Sequence, residues 1–389
     1  MQLTVNNSAF NNSVGVKGGS IYISNIDGVE ISNTVIQNSY GGSGGGLALE
    51  QSVTNFHMTD SSLIDCVAGS NGGGMQLINS AHNIYLTNVL ALRNRAGNHG
   101  GFFKVDYYAD SIYVQNSRII NCTASFGGGG GFSLLRYHTN LRFTGNYFEG
   151  CYGQYGGAIE IRESSVSIVI ADSVFTRNSA LLDGGTINFR VNSSKISITN
   201  NTITDSVAGR NGGFIAFAST MQDVVIDGVQ ASGGSALTGG AVYLDTTNTN
   251  FSITNSVLSN CSAELAGGVG VGKANALITI RGAEISNCKA TVSFGGGLYF
   301  DQYNADVTVQ TSVVSNNVAA QDGGGMYVGI YNDDIIIAGS TFHNNSATAY
   351  GGALFALSNN PQLAVLDLAG FENMAVLESE HPYQSAYPV

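Results

Sequence analysis

The five cysteines of this 389-residue chain, Cys66, Cys122, Cys151, Cys261 and Cys288, all stand about six residues ahead of a pair of glycines. The same place is filled elsewhere by Asn38, Asn94, Asn178, Asn317 and Asn345. One column thus takes either a thiol or a small amide, as a tight corner would. Asparagine tolerates left-handed backbone there and can stack into an amide ladder. Cys122 with Cys151, and Cys261 with Cys288, fall in consecutive repeats. Repeats stacked about 4.8 Å apart would bring each pair within disulfide range. Side chains of in-register parallel strands point the same way, however, which suits S–S torsion poorly, so buried reduced thiols are expected. No histidine joins the column and no CxxC occurs, so zinc is not expected.

The remaining chemistry-bearing residues are carboxylates and aromatics. General acid–base work on a glycan needs clustered Asp or Glu beside Arg, Lys or His. Here acids fall singly along the repeats. Glu160, Arg162 and Glu163 with Arg190 form the densest charged group and read as a solvated ion-pair face. Asp301, Asp306, Asp333 and Asp334 approach a cation site, but Asx residues ahead of a strand are turn-formers first. No catalytic residue, cofactor or metal is expected.

The aromatics fall in two runs. Four residues after the first glycine, a position expected to face solvent, the later repeats carry Tyr243, Val271, Tyr299, Tyr327 and Phe355. A second run, His57, Tyr85 and Tyr113, is followed by Arg142. An exposed aromatic stripe is a platform for sugars or for another copy of the chain. Self-stacking that only stabilises the fold is the competing reading.

What positions these columns is a repeat. Glycine pairs begin at Gly18, Gly44, Gly72 and so on to Gly351, thirteen units at an interval of about 28 residues. Each unit holds three short alternations of Val, Ile, Leu, Phe and Tyr with polar residues, the period of strands. Stacked units of this kind make a right-handed parallel β-helix with three short strands per coil, about 60 Å long at one inter-strand spacing per coil. Leucine-rich repeats need a helix-bearing consensus, and propeller blades need longer units. The glycine pair marks the corner before a strand. The longer run Gly127–Gly131 and the early Gly156 predict a local bulge in their coils. The β-helix is expected over residues 1–362, with a degenerate last coil and tail over 363–389, where Pro382 and Pro388 would blunt the edge.

Composition agrees. There are 52 glycines and 3 prolines, 43% of residues are hydrophobic and only 11% charged, so a large core is available and disorder is not expected. A net charge of −12 disfavours nucleic acid as a partner. No apolar run is long enough for a membrane-spanning helix. The first residues lack a signal-peptide pattern and read as the middle of a repeat, which predicts further chain upstream.

Gly156-Gly157-Ala158-Ile159, Gly239-Gly240-Ala241-Val242 and Gly351-Gly352-Ala353-Leu354, with Phe175/Asn178 and Phe342/Asn345, match GGA[ILV] and FxxN tetrapeptides. In these the chain resembles the repeats of chlamydial polymorphic membrane proteins. That resemblance implies an extracellular, surface-displayed, adhesin-like or structural role without catalysis. Asn98-His99-Gly100 faintly resembles a polygalacturonase GHG element, but it sits on the glycine corner. The expected partners are further copies of the chain, stacked end to end into filaments or side by side, or host or matrix glycans. The alternative is a polysaccharide-binding or polysaccharide-cleaving β-helix.

Overall fold

The computed structural model describes residues 2–375. The expected capping role of Pro382 and Pro388 lies outside them. Among the described residues every regular element is a strand, and the strands stack in parallel rows into a β-solenoid of about 13 turns. By contact the chain divides into two compact units, Met1–Thr202 and Ile203–Val389, each built of the same coil.

One coil of the first unit shows the plan. A glycine-led strand, Met75–Ile78, precedes a long strand, Ala81–Thr87, a third strand, Leu90–Leu92, and a short one, Arg95–Ala96. The three expected strands are present, and the short one is a fourth. It has a single inward residue, such as Ala68 or Ala96, too little to register as an alternation. Along the long strand Ile84 pairs with Phe56 and Ile112, and all three are buried. Alternate residues point outward, as the pleat requires.

The glycine corner is dictated by sterics. Gly72 has φ +64°, and a Cβ there would lie 2.1 Å from the carbonyl oxygen of Met75. In the repeat read from Gly267 the left-handed residue is instead Ala266, with φ 60°. The bulge falls between Gly153 and Tyr155, where the short strands shift register.

The cysteine–asparagine column needs one correction. Asn38 does not belong to it. Asn38 (φ 52°) and Asp65 (φ 51°) occupy a neighbouring left-handed column, and Asn38 is exposed. The buried position is the next one, filled by Ser39, Cys66 and Asn94, because the early coils are a residue shorter between corner and glycines. There Asn94 Oδ1 accepts the Cys66 N–H at 3.0 Å, and Asn178 Oδ1 does the same for Cys151. In the second unit Asn317 and Asn345 form an amide ladder at 3.1 Å. All five cysteines are buried free thiols.

A second buried ladder, Asn248–Asn275–Asn304–Asn332, lines the corner before the long strand of the second unit. The sequence carried a signal for it: Asn248, Asn304 and Asn332 each stand two residues before an Asx turn residue.

Candidate functional site

The outward side of the glycine-led sheet is covered over much of its length, although Tyr22 at the start of the column is 49% exposed. In the second unit the cover comes from the segments leading into the glycine pairs, through Leu265 and Phe294. In the second unit Tyr299 and Tyr327 are only 8% and 6% exposed, in a cluster with Ala266, Leu265, Phe294 and Phe355. The Tyr327 ring stacks on Phe294 at 4.6 Å, on Tyr299 at 5.3 Å and on Phe355 at 5.6 Å. Burial pushes the Tyr327 phenol up to about 12 and raises that of Tyr299, whose hydroxyl donates to Asp301 at 3.1 Å. Val271 faces the interior, and Gly270 takes the expected place between Tyr243 and Tyr299. Tyr243 and Phe355 are half-buried. This stripe is therefore a covered secondary core, and the solvent-facing role expected for Tyr299 and Tyr327 is overturned.

In the first unit the same column, after Tyr22 and Ala48, is polar: Gln76, Lys104, Ser133, Glu160 and Asn188 succeed one another in register, all buried. Glu160 is not on a solvated face. It is fully buried, accepts from the Ser133 hydroxyl at 2.8 Å, and lies 3.7 Å from the Arg190 guanidinium. Desolvation raises its pKa against the pull of Ser133, Arg190, Arg162 and Lys104. His99 Nδ1 is 3.9 Å from this carboxylate but accepts the Gly128 N–H at 3.0 Å, so it carries no proton. Burial, with Lys104 and Arg162 nearby, lowers the His99 pKa to about 4. Lys104 pairs with Asp106, which also accepts from Gln76 at 2.9 Å. Glu163 pairs instead with Arg136 at 2.8 Å. The sequence scattered these charges over separate repeats; the stacked register unites them.

His57, Tyr85 and Tyr113 are brought together in register on the outward side of the long sheet. Their rings lie nearly parallel, 4.5 Å and 4.9 Å apart. His57 is exposed and the tyrosines are half-buried. Glu30 precedes and Arg142 follows in the same column. Beside it runs a rim of Thr59, Thr87, Gln115 and Thr144. A cleft of about 400 Å³ opens where Glu30, Asn55, His57 and Thr59 meet. At the corner leading into this sheet, Tyr107, Tyr108 and Tyr137 are also exposed.

Among the described residues no three metal-capable side chains converge, and no helix is long and apolar enough to cross a membrane. No protein-family model, curated protein or solved structure matches the chain.

Proposed function

We propose that the protein is a non-enzymatic, extracellular, adhesin-like β-solenoid whose first unit recognises a neutral glycan on the outward side of the long sheet. The observation that carries this reading is the outward His57–Tyr85–Tyr113 pile, exposed at His57 and half-buried at the tyrosines, beside a rim of hydroxyl and amide side chains. Aromatic rings offer apolar edges, and Thr59, Thr87 and Gln115 of the rim offer hydrogen-bond partners to sugar hydroxyls. Glu30 in the cleft and the net charge of −12 favour neutral sugars over uronates. Of the two aromatic runs, the one in the first unit is thus the proposed interaction face.

A glycan array with the purified chain tests it. Binding to neutral glycans that falls at least tenfold in His57→Ser/Tyr85→Ser, with unchanged circular dichroism, supports the reading. Binding that survives the double variant overturns the face. Release of sugar products from any bound polysaccharide would overturn the non-enzymatic assignment. Sedimentation across a concentration series checks homotypic assembly: a species that grows with concentration makes a second copy the partner instead.

A further inference from the structure

The corner between the glycine-led and long strands holds a residue in left-handed backbone in every coil, and asparagine fills it at Asn25, Asn79, Asn192 and Asn359. Four tyrosines also occupy it: Tyr108 (φ 50°), Tyr137 (φ 60°), Tyr303 (φ 58°) and Tyr331 (φ 58°). A bulky side chain is a poor choice for this conformation, which Asn or Gly adopts more cheaply. Each tyrosine has another in the adjacent coil, and none stands alone. Tyr108 stacks on Tyr137 with ring centroids 5.2 Å apart and planes 15° apart; Tyr303 stacks on Tyr331 at 5.3 Å and 7°. All four are well exposed, at 58%, 42%, 56% and 46%. Gln51, Ser164, Thr220, Thr247 and Ala274 take the same backbone at this corner, so it is the in-register pairing and exposure of the phenols that point to a use for the pair.

We propose that Tyr108 with Tyr137, and Tyr303 with Tyr331, are sites of oxidative tyrosine–tyrosine cross-linking between adjacent coils. The oxidant is a peroxide acting through a one-electron haem peroxidase. Each phenol gives up one electron and one proton, leaving two phenoxyl radicals. The radicals couple through a carbon–carbon bond between ortho positions. The hydrogen displaced from each of those carbons returns to its phenol oxygen. The product has two hydrogens fewer than the starting pair, and one hydrogen peroxide takes the two electrons and two protons to give two waters. Parallel stacking in register holds the ortho carbons of one ring near those of the next, and an exposed side chain can tilt about its own torsions to close the gap. The bond would tie one coil to the next and restrict the unfolded chain, as a disulfide does. Whether the reaction is used in the organism rests on the extracellular reading above; the chemistry of the purified chain does not.

The fold supplies its own control. Tyr299 and Tyr327 stack at the same 5.3 Å but are buried. Dilute protein is treated with peroxidase and hydrogen peroxide, followed by dityrosine fluorescence and by mapping of cross-linked peptides. The expected result is an intramolecular Tyr108–Tyr137 and Tyr303–Tyr331 product, severalfold above any Tyr299–Tyr327 product. Tyr137→Phe with Tyr331→Phe keeps both stacks but removes one phenol from each, and should abolish those products while the fold persists. Coupling chiefly between molecules, corner products no more abundant than the buried one, or undiminished dityrosine in the double variant would each overturn the proposal. None of these outcomes depends on glycan binding.

Discussion

The Ser133 hydroxyl donates a 2.8 Å hydrogen bond to Glu160 Oε2 across one coil, on the covered side of the glycine-led sheet. That bond does not offset the desolvation of a fully buried carboxyl, so the Glu160 pKa is raised. An acid raised on folding stabilises the fold fully below its unfolded value and loses that contribution as pH rises through its folded value. Glu160→Gln should therefore remove this pH dependence, so that the parent loses stability relative to the variant as pH rises above the ordinary carboxylate range. Urea unfolding of both proteins across pH checks this; parallel curves would remove Glu160 as the source. Arg190 is not stranded by the change, because its guanidinium also lies over the Tyr155 ring at 4.2 Å.

Gly128 seals this carboxylate. A Cβ on it would fall 2.0 Å from Glu160 Oε2, so the buried carboxylate would have to shift. Gly128→Ala should cost about 1–3 kcal/mol by overpacking. Because the clash is with one side chain, adding Glu160→Ala should recover most of the loss, a coupling that a double-mutant cycle in urea would register. Additive costs would place the strain in the backbone instead.

Tyr299→Ser and Tyr327→Ser each remove a buried ring from the cluster around Ala266, and should destabilise the second unit by roughly 3–5 kcal/mol. His57→Ser removes an exposed ring and one stacking contact, a loss of about 1 kcal/mol. Thermal unfolding of the three variants separates a covered core from an exposed face. Equal, small losses would return Tyr299 and Tyr327 to the surface.

How much of this was legible follows from what periodicity can carry. The 28-residue interval made the solenoid readable, because each coil repeats the same inward positions, as Phe56, Ile84 and Ile112 do. The short strand at Val67–Ala68 was not readable, having one inward residue. The same alternation also put Tyr327 correctly on the outward side of its sheet. It could not tell that the segment carrying Phe294 folds back over that side, because a cover is a matter of loop path, not period. Glu160 was misread for the same reason. His57, Tyr85 and Tyr113 do lie in one outward column of the long sheet, with His57 exposed and the tyrosines half-buried.

Asn317 and its neighbour Asn316 give a paired test of the amide ladder. Asn317 Oδ1 accepts the Cys288 N–H at 2.9 Å, and its Nδ2 donates to the Ile285 carbonyl at 2.9 Å. Asn317→Ala would leave the buried Cys288 N–H unpaired and remove the side-chain bonds to the Ile285 carbonyl and to Asn345, at a cost of roughly 2–4 kcal/mol. Asn316 is exposed and serves by its left-handed φ of 55°, so Asn316→Gly should change stability by less than about 0.5 kcal/mol. Chemical denaturation distinguishes them; equal costs would mean that the ladder bonds add nothing beyond the corner.

The buried thiols should be inert until the coils open. Burial pushes the Cys66 thiol up to about 11 and, with Cys122 adding, holds Cys151 well above the ordinary value; Cys261 is raised first by its hydrogen bond with Cys288 and then by burial. The thiolate is the reactive species, so at pH 8 an aromatic disulfide reagent should label fewer than one thiol per native chain within an hour, and all five once urea has unfolded it. Labelling should track the opening of the fold, so added urea below the unfolding transition would speed it in proportion to the population of open coils. These raised thiols also make the neutral form the stable one. Their contribution is present below about pH 9 and lost as pH rises through their folded values, so stability should decline in alkali. A Cys122→Ser/Cys151→Ser variant should decline less steeply than the parent. Rapid native labelling, or a parent and variant that fall together, would show that the column is open to solvent.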